Sequence, residues 1–363
     1  MTNSIYSADL IGKKQSVTDE ILLLNPNQTP LLNLIGFSEP VIGTTHGWYE
    51  DEVFATKSTV TVLATAAATE LVVADTEAFR PKSVVQIDEE MLLVTAVNIA
   101  DKKITVVRGY AGSTAAAIVK DAEIEALFVE GVEGADARDA RYKQRQHVDN
   151  FTQIFDDSVE VTGTAQEVGQ YGIGDLYGFE KAKKELEVAL QLEKALISGL
   201  KYDSGHVRQM KGIRSFIQSN VTTATTAVDI KMLNDIAQKV YSNGGFAGGG
   251  QYAFMVPAKQ KRAISDLRLD GLRLTQAETS RGQVVDHIVN DFGSFPVIMN
   301  DNLKSDELMF IDQNRVKIRP LGNRGFTHEL LAKTGDATRG TIYGEYTLEF
   351  RQEKAHARIK GLK

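Results

Sequence analysis

The sequence predicts an α+β fold that carries a small all-β insertion. Three observations lead there. Residues 175–200 hold the longest unbroken amphipathic helix signal. Residues 58–128 hold only short runs rich in Val, Ile and Thr, with no long helix between them. After residue 229, helical stretches are followed by a series of strands, the order of an α+β core.

Taken in chain order, residues 1–35 read as an N-terminal arm. Ile5, Leu10, Ile11, Val17 and the run Ile21 to Leu24 are apolar but loosely spaced, and Asn25-Pro26-Asn27 breaks them. Thr29-Pro30 then opens a short apolar helix, Leu31 to Ile35, ended by Gly36. This segment has little core of its own. It must lie on the rest of the chain or on a neighbouring copy.

Residues 46–62 change to an extended pattern. Trp48, the single tryptophan, sits beside Glu50, Asp51 and Glu52 and reads as a half-buried strand anchor with a solvated acidic face. Residues 58–128 follow as TVTVLATAAATELVVAD, SVVQIDEEMLLVTAV, KKITVVRGY and AEIEALFV, each read as a strand. Turn signals at Arg80-Pro81-Lys82, Asn98 to Lys102 and Gly109 to Gly112 separate them, as in a small barrel or roll. Residues 129–150 are charged and poor in large apolar side chains, the composition of a flexible or exposed return loop. Arg138, Arg141, Lys143 and Arg145 read as a solvated strand paired with acidic neighbours such as Glu50 to Glu52, in preference to a phosphate site.

In the long helix, Phe179, Ala182, Leu186, Ala189, Leu190, Leu196, Ile197 and Leu200 recur at three- and four-residue steps. Lys181, Lys183, Lys184, Glu185, Glu187, Gln191, Glu193 and Lys194 fall on the other face, and Glu180 and Lys184 are spaced to pair. Asp175 is its N-cap, preceded by Gly172 and Gly174. At 1.5 Å per residue the rod runs about 38 Å, long enough to lie across a sheet and join two halves of a protein.

Residues 207–220 read as a short helix or loop. Asp229 caps a second amphipathic helix with Ile230, Leu233, Ile236, Ala237, Val240 and Tyr241 on one face. YAFMVPA (252–258) is a buried-type strand and 259–271 a helix. QVVDHIVNDF, FPVIMNDN, ELMFIDQNRVKIRPL and GTIYGEYTLEFRQEKAHARIKGL follow as strands.

Composition narrows the function. The 363 residues allow two or three domains, and 42% hydrophobic with 25% charged residues describes a chain able to build a core. A net charge of −7 argues against a surface built to grip nucleic acid. The absence of cysteine excludes disulfides and thiolate chemistry and is compatible with intracellular folding. There is no secretion-signal pattern at the N-terminus, and no apolar run approaches a membrane span. Phosphate-loop, dinucleotide, His-Glu-x-x-His and Gly-x-Ser-x-Gly motifs are all missing. His46, His147, His206, His287, His328 and His356 show no metal-ligand spacing. The pairs Asp156-Asp157 and Glu89-Glu90 are adjacent, so on a strand they point to opposite faces and make poor acid/base dyads. The expectation is a protein with no catalytic, cofactor-binding or metal-binding residues.

The order of parts resembles the major capsid proteins of tailed double-stranded DNA bacteriophages, in the branch whose extended loop carries an inserted β domain. Thr29-Pro30-Leu31, His46 to Glu52, Glu160 to Ala165, Lys211-Gly212-Ile213, Asp291-Phe292-Gly293, Leu331 to Asp336 and Gly344 to Glu349 carry the likeness. Asp88 to Thr95 with Val107 to Ala115 looks like a β module that recurs in phage structural proteins. The resemblance implies an arm at 1–35, an extended loop at 36–57 and 129–160, and an inserted barrel-like domain at 58–128. It implies a peripheral domain at 161–228 and 291–363 with a spine helix at 176–200, and an axial domain at 229–290. It also implies self-assembly as hexamers and pentamers around packaged DNA held by weak non-specific contact. The portal, and scaffold or decoration proteins where used, would be partners. The setting would be the virion, assembled in the bacterial host cytoplasm, with no membrane, no cofactor and no enzyme activity. A covalent Lys–Asn link between subunits is not expected. The rival readings are a tail or decoration protein, suggested by the β module, and a carbohydrate-active enzyme with a β module for substrate.

Overall fold

The computed structural model describes residues 29–168, 173–247, 249–267, 287–333 and 335–363. Most of the expected arm, Gly172, the end of the helix read to 271 and the start of the strand read from 283 lie outside the described residues. The chain divides into two compact units. One comprises residues 1–48 and 147–363, the other residues 49–146.

The first described element is helix α1 (Pro30–Ile35), with proline in its first turn and Gly36 at its C-terminal end. Strand β1 (Thr45–Glu50) follows and places Trp48 among the buried residues.

The second unit holds β2 (Lys57–Thr59), β3 (Glu70–Val72), β4 (Ser83–Ile87), β5 (Glu90–Asn98), β6 (Lys103–Val107) and β7 (Glu123–Val129). They form one sheet in the order β2-β7-β4-β5-β6-β3, antiparallel throughout. The two edges meet. Val60 bridges Val73, Thr61 N–H donates to Val72 O and Ala74 N–H to Thr59 O, each at 2.9 Å, so the sheet closes on itself. Val60, Leu71, Val85, Leu92, Val94, Ile104 and Ile124 fill the interior. The stretch 59–75, read as one strand, is two, parted by the loop 61–69. That loop holds no Gly, Pro, Asn or Asp, so nothing in its composition announces a break.

A buried ion pair ties this unit's loops. Arg108 Nε and Nη2 each donate to a Glu90 carboxylate oxygen at 2.7 Å. Arg108 also donates to the carbonyls of Thr65 (2.8 Å), Ala68 (3.2 Å) and Ala116. Glu90 accepts from the N–H groups of Gly109 (3.1 Å) and Ala116 (3.2 Å). The bond to Arg108 holds the Glu90 carboxyl below its ordinary range, against the opposing effect of burial.

The first unit resumes with β8 (Gln146–Phe151), which pairs with β1, then β9 (Gln153–Thr162), a one-turn α2 (Gly163–Glu167) and the long α3 (Leu176–Ser198). Asp175 caps α3 through Gly178 N–H at 3.0 Å. The buried stripe of α3 is Val188, Leu192, Leu196 and Ile197, with Glu193 among them. This corrects the face read from the sequence. Leu186 and Leu200 are exposed and Glu193 is fully buried. Glu180 pairs with Lys183, and Lys184 with Glu187 and Asp157, in place of the expected Glu180–Lys184 pair.

Next come β10 (Tyr202–Asp203), β11 (Arg208–Gln209), α4 (Ile213–Phe216), β12 (Val221–Thr223), α5 (Ile230–Ser242, capped by Asp229), β13 (Tyr252–Val256) and α6 (Ala258–Asp266). The last are β14 (His287–Asn290), β15 (Gly293–Met299), β16 (Glu307–Asp312), β17 (Val316–Pro320), β18 (Thr327–Leu330), β19 (Ala337–Phe350) and β20 (Ala357–Lys360). Two expected long strands are broken by single 3₁₀ turns, at Gln313–Arg315 and Glu353–Ala355.

These strands make two sheets. One runs β12-β20-β16-β13-β15-β14 and draws strands from both sides of residue 290. In the other, β19 is central, with β9 along one edge and β17 and β18 sharing the other. Strands β13 and β16 are buried on both faces, which explains their unbroken apolar runs. Phe254 and Phe310 face the core beneath α5 and α6, while Met255, Met309 and Ile311 face the core beneath α3.

Candidate functional site

Buried carboxylates fasten α1 and the ends of β1 and β8 to the rest of the first unit. Helix α1 has no cap of its own. Thr29 makes no side-chain bond to it, and Pro30 has no N–H. The first two free donors, Leu31 N–H and Leu32 N–H, go to Glu193 Oε1 and Oε2 at 2.9 Å each. Asn300 Nδ2 donates to the same carboxylate at 2.7 Å. Glu193 thus caps α1 from α3. Burial raises its carboxyl above the ordinary range, outweighing the three hydrogen bonds that favour the charged form.

The ends of β1 and β8 in this unit are held differently. On β19, Tyr346, Leu348 and Phe350 enter the apolar core, so Glu345, Thr347 and Glu349 line the opposite face, all buried. Glu349 accepts from His46 at 2.9 Å and pairs with Arg319 and Arg351. Burial alone would push its carboxyl up, but the bond to His46 and the two arginine charges leave it below the ordinary range. Glu345 accepts from Thr152 Oγ1 (2.6 Å), Arg208 (3.0 Å) and Arg324 (3.1 Å). Asn150 Nδ2 reaches Leu348 O at 2.8 Å. The ends of β1 and β8 therefore rest on β19 through directional polar bonds, while Trp48 packs near Phe216.

A fourth carboxylate, Glu307, takes a forked grip from Arg214, with Nη2 at 2.6 Å, and joins α4 to β16. Sequence reasoning missed these glutamates. Glu193 did carry a signal, since its helical neighbours at three and four residues onward are Leu196 and Ile197. Glu345 and Glu349 lie in a stretch singled out only for its resemblance and carried no sign of burial.

In the second unit the acidic cluster and the basic run do meet. Lys143 binds Glu77 at 2.6 Å and Glu52 at 3.4 Å, and Arg145 binds Asp51 at 3.2 Å. Arg141 lies 3.9 Å over the Phe54 ring, and Arg138 donates to Glu130 O at 2.7 Å. The pairing expected from sequence is present, but residues 130–145 form no strand.

Asp157 is bound to Lys184 and His328 to Tyr177, and His356 is buried. Asp156 and His206 border a concavity of about 520 Å³ together with Arg208, Arg324 and Tyr343. Among the described residues no group of His, Asp or Glu could hold a metal ion. No helix among them is long and apolar enough to cross a membrane.

Known proteins give the fold its context. No curated protein matches the chain. The capsid asymmetric unit of cyanophage A-1(L) superposes with a TM-score of 0.58 at 10% identity, covering 98% of each chain. The capsid of a native GTA particle gives 0.53 at 10% identity over 100% of both chains. A chain of Mycobacterium phage Adephagia gives 0.50 at 10% identity, covering 96% of this chain and 92% of that one. At such identities the likeness is one of fold. The sequence model of the SU10 major capsid protein family matches residues 2–363. The chain therefore belongs to the SU10 major capsid protein family and is a capsid-forming structural protein.

Proposed function

We propose that copies of this chain assemble as pentamers and hexamers into the icosahedral head that encloses packaged phage DNA. The observation that carries the reading is apolar surface left open on thin segments. Ile42, Val53 and Tyr142 are almost wholly exposed, each on a stretch outside regular structure. A solitary molecule gains nothing from such side chains, whereas neighbouring copies would bury them.

In this reading residues 1–35 are the arm and 36–57 with 129–160 the extended loop. Residues 58–128 are the inserted domain. Residues 161–228 and 291–363 form the peripheral domain with α3 as its spine, and 229–290 are the heart of an axial domain whose sheet borrows later strands. The acidic balance suits a wall that confines DNA by weak, non-specific contact. The portal, with scaffold or decoration proteins where used, completes the particle, which is built in the host cytoplasm. The chain acts as a building block and catalyses nothing.

The test is electron microscopy of the purified full-length protein across a range of concentration and salt. Closed shells with five- and six-fold capsomers are expected, with assembly sensitive to ionic strength. A protein that stays monomeric under every condition would refute the proposal.

A further inference from the structure

The closed sheet of the second unit ends in an apolar tip. Ala64 and Ile118 exchange both backbone hydrogen bonds, at 3.0 and 2.8 Å, joining the loop after β2 to the segment before β7. Both side chains turn inward and are buried. Their antiparallel neighbours, Leu63 and Val119, therefore turn outward together. Leu63 is 66% exposed and Val119 62%, and Val62 beside them is 54% exposed. Ala66, Ala67, Ala116 and Ala117 extend the same open surface.

These loops are fixed. Arg108 holds the carbonyls of Thr65, Ala68 and Ala116, and Glu90 holds Arg108 and the Ala116 N–H. A buried ion pair adds little net stability over an apolar replacement, so its value lies in specifying a geometry. Here the geometry specified is that of an exposed apolar surface. A surface ordered in advance loses little entropy when it binds.

The occupant follows from charge. Exposed Lys120 and Asp121, adjacent and of opposite sign, follow Val119 in the turn that leads to β7. A two-fold axis through the apolar centre would bring Lys120 of one copy to Asp121 of the other, and the reverse. The geometry points to a homotypic contact: the tips of two copies of this chain meet through Leu63 and Val119, framed by two reciprocal Lys120–Asp121 pairs. The inference rests on the shell reading proposed above. The few side chains named here are far fewer than the roughly 20–30 residues a side of a stable interface, so one contact is weak and gains strength only from repetition in a shell.

The chain has no cysteine, so one introduced thiol reports without background. Shells of the full-length V119C variant, oxidised with copper-phenanthroline, are expected to yield a covalent dimer on a non-reducing gel. Shells of K102C, placed at the opposite end of β6, are expected to yield none. K120D and D121K should each raise the protein concentration needed for assembly about two- to fivefold, and the double variant K120D/D121K should restore it. Thermal unfolding of each variant verifies that the unit still folds. Intact V119C shells that give only monomer would overturn the tip contact and leave the shell reading standing, and so would a double variant no better than the singles. Wild-type protein that forms no shell at all would instead remove the shell reading.

Discussion

Glu193 receives the backbone N–H of Leu31, 162 residues earlier in the chain, at 2.9 Å, and so supplies from α3 the cap that α1 lacks. Replacing it by alanine leaves the buried donors of Leu31 and Asn300, and the half-buried one of Leu32, without this acceptor. We expect E193A to destabilise this unit by about 2–4 kcal/mol in urea unfolding. E193Q keeps one acceptor oxygen and should cost less. The pH dependence has a definite sign. Because the folded carboxyl titrates above its ordinary value of 4.5, the wild type loses stability as pH rises through that raised value. Glutamine does not titrate, so the gap between wild type and E193Q should narrow towards neutral pH. A gap that widens instead would mean that the ionised form is the favoured one.

The Glu90–Arg108 pair carries the opposite sign. Glu90 titrates below 4.5 when folded, so its contribution is present above that pH and fades as pH falls through the depressed value. R108M strands a buried carboxylate and releases three carbonyls. Its expected cost to the second unit is about 3–5 kcal/mol at neutral pH. The deficit should shrink in acid, where Glu90 takes a proton and no longer needs a cation. Thermal melts at pH 7 and pH 4 decide the matter, and an equal deficit at both would rule out the electrostatic account.

The helices were legible because their ends carry local chemistry. Asp175 and Asp229 stand as caps and Pro30 opens α1, all readable within a turn of the chain. Strands β6 and β7 were legible from the turn residues around them, whereas 83–97, read as one strand, is β4 and β5 folded back on each other at Asp88-Glu89, where no Gly or Pro announces the turn. What stayed hidden depends on partners remote in sequence. Glu193 looks like one more charge on a charged helix until Leu31 and Asn300 are brought to it. The buried stripe at Val188 and Leu192 was masked because Leu186 and Leu200 complete an equally regular pattern on a face that the fold leaves open. The junctions of the candidate site are made almost wholly of such long-range pairs, so periodicity could not find them.

His356 should make the first unit acid-sensitive. Its ring is fully buried against Phe350, Nδ1 accepts the Asp312 N–H at 3.1 Å, and Nε2 lies 3.2 Å from Arg351 O. Burial pushes its pKa down to about 3. The unfolded chain takes up this proton near 6.5 while the folded one refuses it. Stability from this group therefore falls as pH drops from 6.5 towards 3, by about 1.4 kcal/mol per pH unit. H356F removes the titration and also the acceptor for Asp312. It should be less stable than wild type at pH 7 yet show a shallower decline in urea midpoint between pH 6.5 and 4.5. Parallel declines in the two proteins would locate the acid sensitivity elsewhere.

The end of α3 offers a purely steric test. A Cβ on Gly212 would come within 2.6 Å of Gly199 N, 2.8 Å of Ala195 O and 2.9 Å of Leu196 O, all backbone atoms that cannot step aside without breaking the last turn. The chain is held there because Gly212 N–H donates to Gly199 O at 2.9 Å, which seats α4 against α3. G212A is expected to cost about 1–3 kcal/mol. Gly174, just before the Asp175 cap, has open space around its Cβ position and no left-handed backbone, so G174A should be neutral or stabilise by up to about 1 kcal/mol through the unfolded chain. The two variants add the same methyl group near opposite ends of one helix. Similar effects in a side-by-side urea titration would show that α3 tolerates movement at its end, and that the close approach of Gly212 to Gly199 does not fix how α4 is seated.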